Sequence, residues 1–325
     1  MRLLILIIFG LLVQDISPNQ EYKFYNEYPL NDLNRTKFNQ IIDFKILKEN
    51  IFISDFKGSK IYKFSLDGQL LNSSGSQGRG PGEFEYGPRH LSSNNGFLYV
   101  STMMPFFQIY DFDLNYIENK RIIEFASNIY GLHTDSDNLI IVPTQFYEEN
   151  IFTYNTKSEE IDSIFLDFEI APGLLSKYDV FKFEKKWLFA WEFQNRFELY
   201  DSTFSKVNSF KLPNIPEKAD GKYSDYPVIP KEANSYQAKV FTKGSFFPFG
   251  TFFTSFTKLD EENFLVQFGV QTGGDKQAVI VDLKGNLKQQ LELPEKGTII
   301  LGYHNNILYM QERKSQSIIA YEFRN

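Results

Sequence analysis

The sequence predicts an all-β protein, a six-bladed β-propeller with four-stranded antiparallel blades, and three observations carry that prediction. A short apolar strand recurs six times, a second aromatic or apolar anchor follows every copy at a nearly fixed offset, and most copies are spaced in the forties of residues. Composition agrees with β structure: 34 Phe and 19 Tyr stand among 325 residues, and alanine-rich helical stretches are missing. The formal net charge is −7, and no Lys/Arg run tracks a phosphate backbone, so nucleic acid and strongly anionic membrane surfaces are excluded as expected partners.

Taken in order, residues 1–20 read as a secretory signal peptide. Met1 and Arg2 give a short positive start, and the apolar run Leu3–Val13 suits a leader core while being too short to span a bilayer. No A-x-A-like pair marks the cleavage point between Gln14 and Gln20. Export is the expectation, to the periplasm, the cell surface or the medium, with no stable membrane insertion after cleavage. The chain has no cysteine, so disulfides, thiolate metal sites and a lipid-bearing cysteine are all excluded.

Residues 21–325 form the expected propeller domain. Glu21–Tyr28 has strand character but precedes the first repeat. The repeats begin at Ile51, Phe97, Leu139, Trp187, Phe264 and Ile307, advancing by 46, 42, 48, 77 and 43 residues. Their second anchors are Phe64, Tyr110, Tyr154, Tyr200, Val281 and Tyr321, at offsets of 13, 13, 15, 13, 17 and 14. An acidic or turn-forming run follows each of the first five, which places an Asp-Gly-like turn between strands three and four of a blade. The advance of 77 is one blade plus an insertion at 213–253, rich in proline and without either anchor, between blades 4 and 5. The last repeat ends after its third strand, so the N-terminal strand is expected to complete the last blade and close the ring.

The connection Gly75–Pro88 contains five glycines before Pro88, which marks a tight backbone crossing between blades 1 and 2. Phosphate binding reads badly there. Gly75 and Gly80 have P-loop spacing, but Pro81 and Gly82 stand where Lys and Ser/Thr are needed.

The Gly78–Phe84 loop leading into an inner strand, together with the recurring apolar strand and the Tyr-Asp turn, resembles the NHL-like six-bladed propellers. It is more similar to the exported six-bladed propellers of uncharacterised function from Bacteroidetes-type bacteria. The resemblance covers residues 35–325 and implies a fold and export, without implying a reaction.

Three long connections, Gly75–Pro88, Phe165–Tyr178 and Pro213–Phe253, fall on the channel-entrance face of such a fold, where loops on a rigid scaffold carry binding. Eight residues before each first anchor stand Asp43, Arg89, Gly131, Asp179, Phe256 and Ile299, three of them charged in otherwise apolar strands. With His90, Tyr130 and His133 they make the channel-entrance ligand candidates: Asp43, Arg89, His90, Tyr130, His133 and Asp179. Arg79, Phe246, Phe247 and Phe249 are the candidates on the loop face, for an unidentified protein or carbohydrate ligand.

No sialidase box, nucleophile elbow or zinc helix occurs, and no catalytic residue or cofactor is assigned. The expected function is therefore a non-catalytic binding or interaction module using the entrance face. The rival is a metal-dependent hydrolase or lyase of the lactonase type, with Ca2+ held by carboxylates such as Asp43 and Asp179, or Zn2+ held by His90, His133 and His304.

Overall fold

The computed structural model describes residues 21–102, 106–121, 131–136, 139–143, 151–164, 166, 178–191, 195–213, 253–269, 277–294, 298–312 and 315–324. These form 24 strands in six four-stranded antiparallel sheets. β1 (Lys23–Glu27) comes first and belongs to the last blade. Blade 1 contains β2 (Ile41–Leu47), β3 (Asn50–Asp55), β4 (Lys60–Ser65) and β5 (Leu70–Ser74). Blade 2 contains β6 (Leu91–Asn94), β7 (Phe97–Ser101), β8 (Phe106–Asp111) and β9 (Tyr116–Arg121). Blade 3 contains β10 (His133–Ser136), β11 (Leu139–Pro143), β12 (Ile151–Asn155) and β13 (Ile161–Ile164). Blade 4 contains β14 (Tyr178–Phe183), β15 (Lys186–Trp191), β16 (Phe197–Asp201) and β17 (Lys206–Phe210). Blade 5 contains β18 (Phe253–Lys258), β19 (Asn263–Phe268), β20 (Gln277–Asp282) and β21 (Leu287–Glu292). Blade 6 contains β22 (Thr298–His304), β23 (Ile307–Glu312) and β24 (Ile318–Arg324), completed by β1.

The two anchor series keep step because they are paired across the second and third strands of a blade. Ile51 pairs with Phe64, Trp187 with Tyr200 and Phe264 with Val281. In blades 2, 3 and 6 the pairing is one residue on, Leu98 with Tyr110, Ile140 with Tyr154 and Leu308 with Tyr321. Strand side chains alternate between faces, so that single step leaves Phe97 39% exposed while Leu98 is buried.

The apolar side chains gather into six clusters, one at each junction between successive blades. Phe52, Phe84, Leu98 and Tyr110 join blades 1 and 2; Tyr99, Ile140 and Tyr154 join blades 2 and 3. Ile151, Trp187 and Trp191 join blades 3 and 4, and Phe197, Phe253 and Phe264 join blades 4 and 5. Ile280, Leu308 and Phe323 join blades 5 and 6, and Phe44, Phe64 and Tyr309 close the ring between blades 6 and 1. The core is thus a ring of wedges, because the sheets present both faces to neighbours.

The closing strand lies where the sequence places it. Lys23 pairs with Arg324 and Phe24 with Phe323 along β1 and β24, and the Phe24 and Phe323 rings lie 4.8 Å apart.

The turn between strands three and four is an Asx turn in several blades. The Asp111, Asp201 and Asp282 carboxylates each accept the backbone N–H two and four residues ahead, at 2.8–3.0 Å. These bonds favour the charged form. Bonds from Asn115 and Thr203 hold Asp111 and Asp201 below the usual carboxylate range; for Asp282 burial works against ionisation but Asn286 and Lys288 outweigh it.

The Gly75–Pro88 connection is a packing device. Phe84 is 1% exposed within the junction of blades 1 and 2, and its backbone N–H bonds to the Ser76 carbonyl at 2.8 Å. Gly75 has φ +101°, and a Cβ there would stand 2.6 Å from the Phe84 ring and 2.7 Å from the Ser59 carbonyl oxygen. From blade 2, the Gln108 side chain donates to the Glu83 carbonyl at 2.6 Å, and Tyr110 donates to the Gly82 carbonyl at 3.4 Å.

Candidate functional site

An inner strand of a propeller blade has a partner on one side only, so its other edge offers unpaired N–H and C=O groups toward the channel. At three of the junctions, polar side chains of one blade bond to the inner edge of a neighbouring blade. Asp43 on β2 accepts the Leu91 N–H at 2.8 Å and the Phe44 N–H at 2.9 Å, and Ser54 donates to the Arg89 carbonyl. Thr134 on β10 donates to the Ser93 carbonyl and lies 2.8 Å from the Ser92 hydroxyl. Gln267 accepts the Ile300 N–H at 2.9 Å, and Ser255 donates to the Ile300 carbonyl.

Along the inner strands lies a cavity of about 270 Å3, lined by Lys45, Leu47, Leu91, Ser92, Ser93, Leu132, His133, Thr134 and Lys182. Blades 1, 2, 3 and 4 all contribute, and blades 1 and 4 face each other across a six-fold ring. A smaller hollow of about 130 Å3 shares Ser93 and Thr134 and reaches Lys48, Asn95 and Gly96. Those residues sit at the turns between first and second strands, so the hollow lies toward the face opposite the Gly75–Pro88 connection.

The predicted channel residues divide accordingly. His133 lines the cavity, and its imidazole lies over Gly131, where a Cβ would come within 2.7 Å of Nε2. Burial, with help from Lys45 and His90, pushes the His133 pKa well below the ordinary value and keeps the ring neutral. Asp43 stands beside the cavity with 13% of its side chain exposed and its carboxylate 3.8 Å from Lys45. Burial raises its pKa, against the opposing pull of Lys45 and the two backbone N–H groups.

Arg89 and His90 precede β6 rather than lying within it; the Arg89 N–H bonds to the Ser101 carbonyl, and the His90 N–H to the Ser101 hydroxyl at 2.9 Å. Asp179 lies on β14 opposite Ala190. Arg79 is at the tip of its connection, 81% exposed and ion-paired with Glu85. Tyr130, Phe246, Phe247 and Phe249 lie outside the described residues, as do residues 1–20 and nearly all of the 213–253 insertion.

The three histidines do not converge. His304 ends β22 beside its turn, with Nε2 3.7 Å from a Glu49 carboxylate oxygen, whereas His133 begins β10 and His90 immediately precedes β6. Among the described residues no group of three or more His, Asp or Glu is arranged to hold a metal ion.

Sequence reasoning passed over Lys45, Ser92, Ser93, Thr134 and Lys182. Ser92, Thr134 and Lys182 each stand five residues before a first anchor, three residues further along the inner strand than the row containing Asp43 and Asp179. The signal was a row of small polar residues and lysine at one depth, which reads as ordinary strand surface until the blades are closed into a ring.

Three solved propellers illustrate the likeness of the fold. A putative exported protein from Bacteroides fragilis superposes with a TM-score of 0.63 at 10% identity, over 94% of this chain and 97% of that one. Chaetomium thermophilum Raptor gives 0.55 at 12% identity over 88% of this chain, which spans only 24% of Raptor. A catalytically inactive virginiamycin B lyase from Staphylococcus aureus, solved with quinupristin, gives 0.55 at 11% identity over 89% of this chain and 82% of the lyase. No curated protein matches the sequence. No helix among the described residues is long and apolar enough to cross a membrane. The family described as DUF5128, a 6-bladed beta-propeller, matches residues 28–243, two thirds of the sequence, and the chain belongs to that family.

Proposed function

We propose that the protein is an exported, non-catalytic binding module that takes its ligand in the central channel. The observation that carries this reading is the cavity to which four blades contribute polar side chains, with apolar Leu47, Leu91 and Leu132 among them. Export is supported by the leader-like residues 1–20 and by the likeness to an exported Bacteroides protein. The exposed Arg79 is a second contact for a protein or carbohydrate partner, and the sequence run Phe246, Phe247 and Phe249, outside the described residues, is the aromatic candidate for the same partner. The Gly75–Pro88 connection supports this only at its tip, since its body is committed to packing.

The rival reading is a metal-dependent hydrolase or lyase in the channel. It is disfavoured because Asp43 spends its carboxylate on two backbone N–H groups and His304 lies apart from His90 and His133. The likeness to virginiamycin B lyase concerns the fold alone.

Elemental analysis of the purified protein, with thermal unfolding in the presence and absence of EDTA, tests the proposal. The binding module is expected to carry no stoichiometric metal and to unfold at the same temperature in both. A stoichiometric metal whose removal lowers the midpoint by several degrees overturns it in favour of the enzyme.

A further inference from the structure

The chemistry of the cavity wall narrows the class of ligand. Two of its lining residues carry a formal charge at neutral pH, and both are engaged: the Lys45 ammonium is ion-paired with Asp43 at 3.8 Å, and the Lys182 ammonium lies 5.5 Å from the Trp187 ring centre. Hydroxyls of the wall are engaged too. Thr134 donates to the Ser93 carbonyl and lies 2.8 Å from the Ser92 hydroxyl. Leu47, Leu91 and Leu132 supply the apolar part of the wall.

His133 is different. Neither of its ring nitrogens is hydrogen-bonded to the described residues, and burial, with help from Lys45 and His90, keeps the ring neutral, so it offers one N–H donor and one bare nitrogen acceptor. Gly131 stands two residues before it, and a Cβ there would come within 2.7 Å of Nε2. The Gly131 backbone has no left-handed φ that would require glycine, so the missing side chain serves the space around the imidazole. The fold leaves this hydrogen-bonding group unused and clears room beside it, in a wall that is otherwise apolar or already paired.

We propose that the channel cavity binds a small uncharged molecule, whose hydroxyl or amide group bonds to the His133 imidazole while its apolar portion lies against Leu47, Leu91 and Leu132. This rests on the channel-binding reading above. A charged ligand would give up its hydration to meet a neutral ring and leucines, with both lysines engaged elsewhere, whereas an uncharged head loses far less. A volume near 270 Å3 suits a ligand smaller than a typical drug.

Isothermal titration calorimetry of the purified protein with four six-carbon probes tests this: uncharged 1-hexanol and hexanamide, anionic hexanoate and cationic hexylammonium. At least one uncharged probe is expected to bind with one-to-one stoichiometry and at least tenfold more tightly than either charged one. His133→Phe, which keeps a ring and removes its nitrogens, is expected to weaken that probe tenfold or more. Gly131→Ala, which displaces the ring, is expected to do the same, while Val207→Ser on the exposed outer strand of blade 4 leaves binding unchanged. Should either cavity variant fail to fold, nitrogen NMR of the three histidine side chains of the wild type carries the test: the His133 ring signals are expected to move on addition of the uncharged probe, and those of His304 to stay in place.

The proposal is overturned if hexanoate or hexylammonium binds as tightly as the uncharged pair, if the folded variants leave binding unaltered, if the His133 signals do not move, or if neither uncharged probe binds at millimolar concentration. A charged probe that binds in the channel instead refutes the uncharged class and leaves the binding module standing. A stoichiometric metal in the EDTA experiment refutes the module itself.

Discussion

Replacing Phe84 by alanine separates a structural role for the glycine-rich connection from a ligand-binding one. The Phe84 ring is 1% exposed, lies 6.4 Å centroid to centroid from the Tyr110 ring, and covers Gly75 so closely that a methyl group there would clash. Truncating a buried Phe to Ala costs about 3–5 kcal/mol, combining lost transfer energy with the void left behind. The lower end applies here, because Phe84 lies on a connection that can settle inward, so about 3 kcal/mol is expected. For a domain somewhat larger than 250 residues that is a fall in the thermal midpoint of roughly 5–10 °C. Differential scanning calorimetry of Phe84→Ala against wild type measures it directly. The wedge formed by Phe52, Phe84, Leu98 and Tyr110 fails as an explanation if the midpoint moves by no more than about 1 °C; the glycines then serve something other than packing.

Removing residues 21–27 leaves the β24 edge unpaired, and the shortened chain is expected to melt earlier and to scatter light on storage; an unchanged midpoint refutes closure by β1. Glu198→Ala removes a fully buried carboxylate bonded to Tyr200 at 2.6 Å and ion-paired with Arg196 and Lys206, leaving the largely buried Arg196 without its carboxylate, and is expected to cost about 3 kcal/mol by urea unfolding. Two pH windows are expected. His133 has a folded pKa below its unfolded value, so stability falls as pH drops below about 6.5, and this slope is expected to be absent in His133→Gln. The depressed Asp111, Asp201 and Asp282 carboxylates contribute stability above about pH 4 that is lost as pH falls through their folded pKa values, while Asp43, whose pKa is raised, works in the opposite sense. Urea unfolding at pH 3, 5 and 7 reads both windows, and stability that rises between pH 7 and pH 5 contradicts the first.

The blades were legible in the sequence because cross-strand pairing converts geometry into arithmetic. Ile51 opposite Phe64 and Trp187 opposite Tyr200 must keep a constant separation whenever the hairpin between them has constant length. The facing of each strand was less legible, as the exposed Phe97 beside the buried Leu98 shows: a run of adjacent apolar residues fixes a strand without fixing its phase. The cavity was legible only in part. Asp43 stands out as a charge in an apolar strand and His133 as a histidine of an inner strand, but Asp43 satisfies the edge of the next blade. Lys45 and Lys182 lie 137 residues apart in sequence, and only the closed ring brings blades 1 and 4 to opposite sides of one space.

The central claim is that the channel cavity is a binding site, and a thermal-shift screen of a chemically mixed small-molecule library tests it most directly when run in parallel on wild type and Ser93→Trp. The indole is expected to fill much of the 270 Å3 space beside Thr134, against the Leu91 and Leu132 side chains of its wall. The account predicts compounds that stabilise wild type by several degrees and lose that effect in the filled variant. Compounds that stabilise both proteins equally, or a wild type that responds to none, would contradict it.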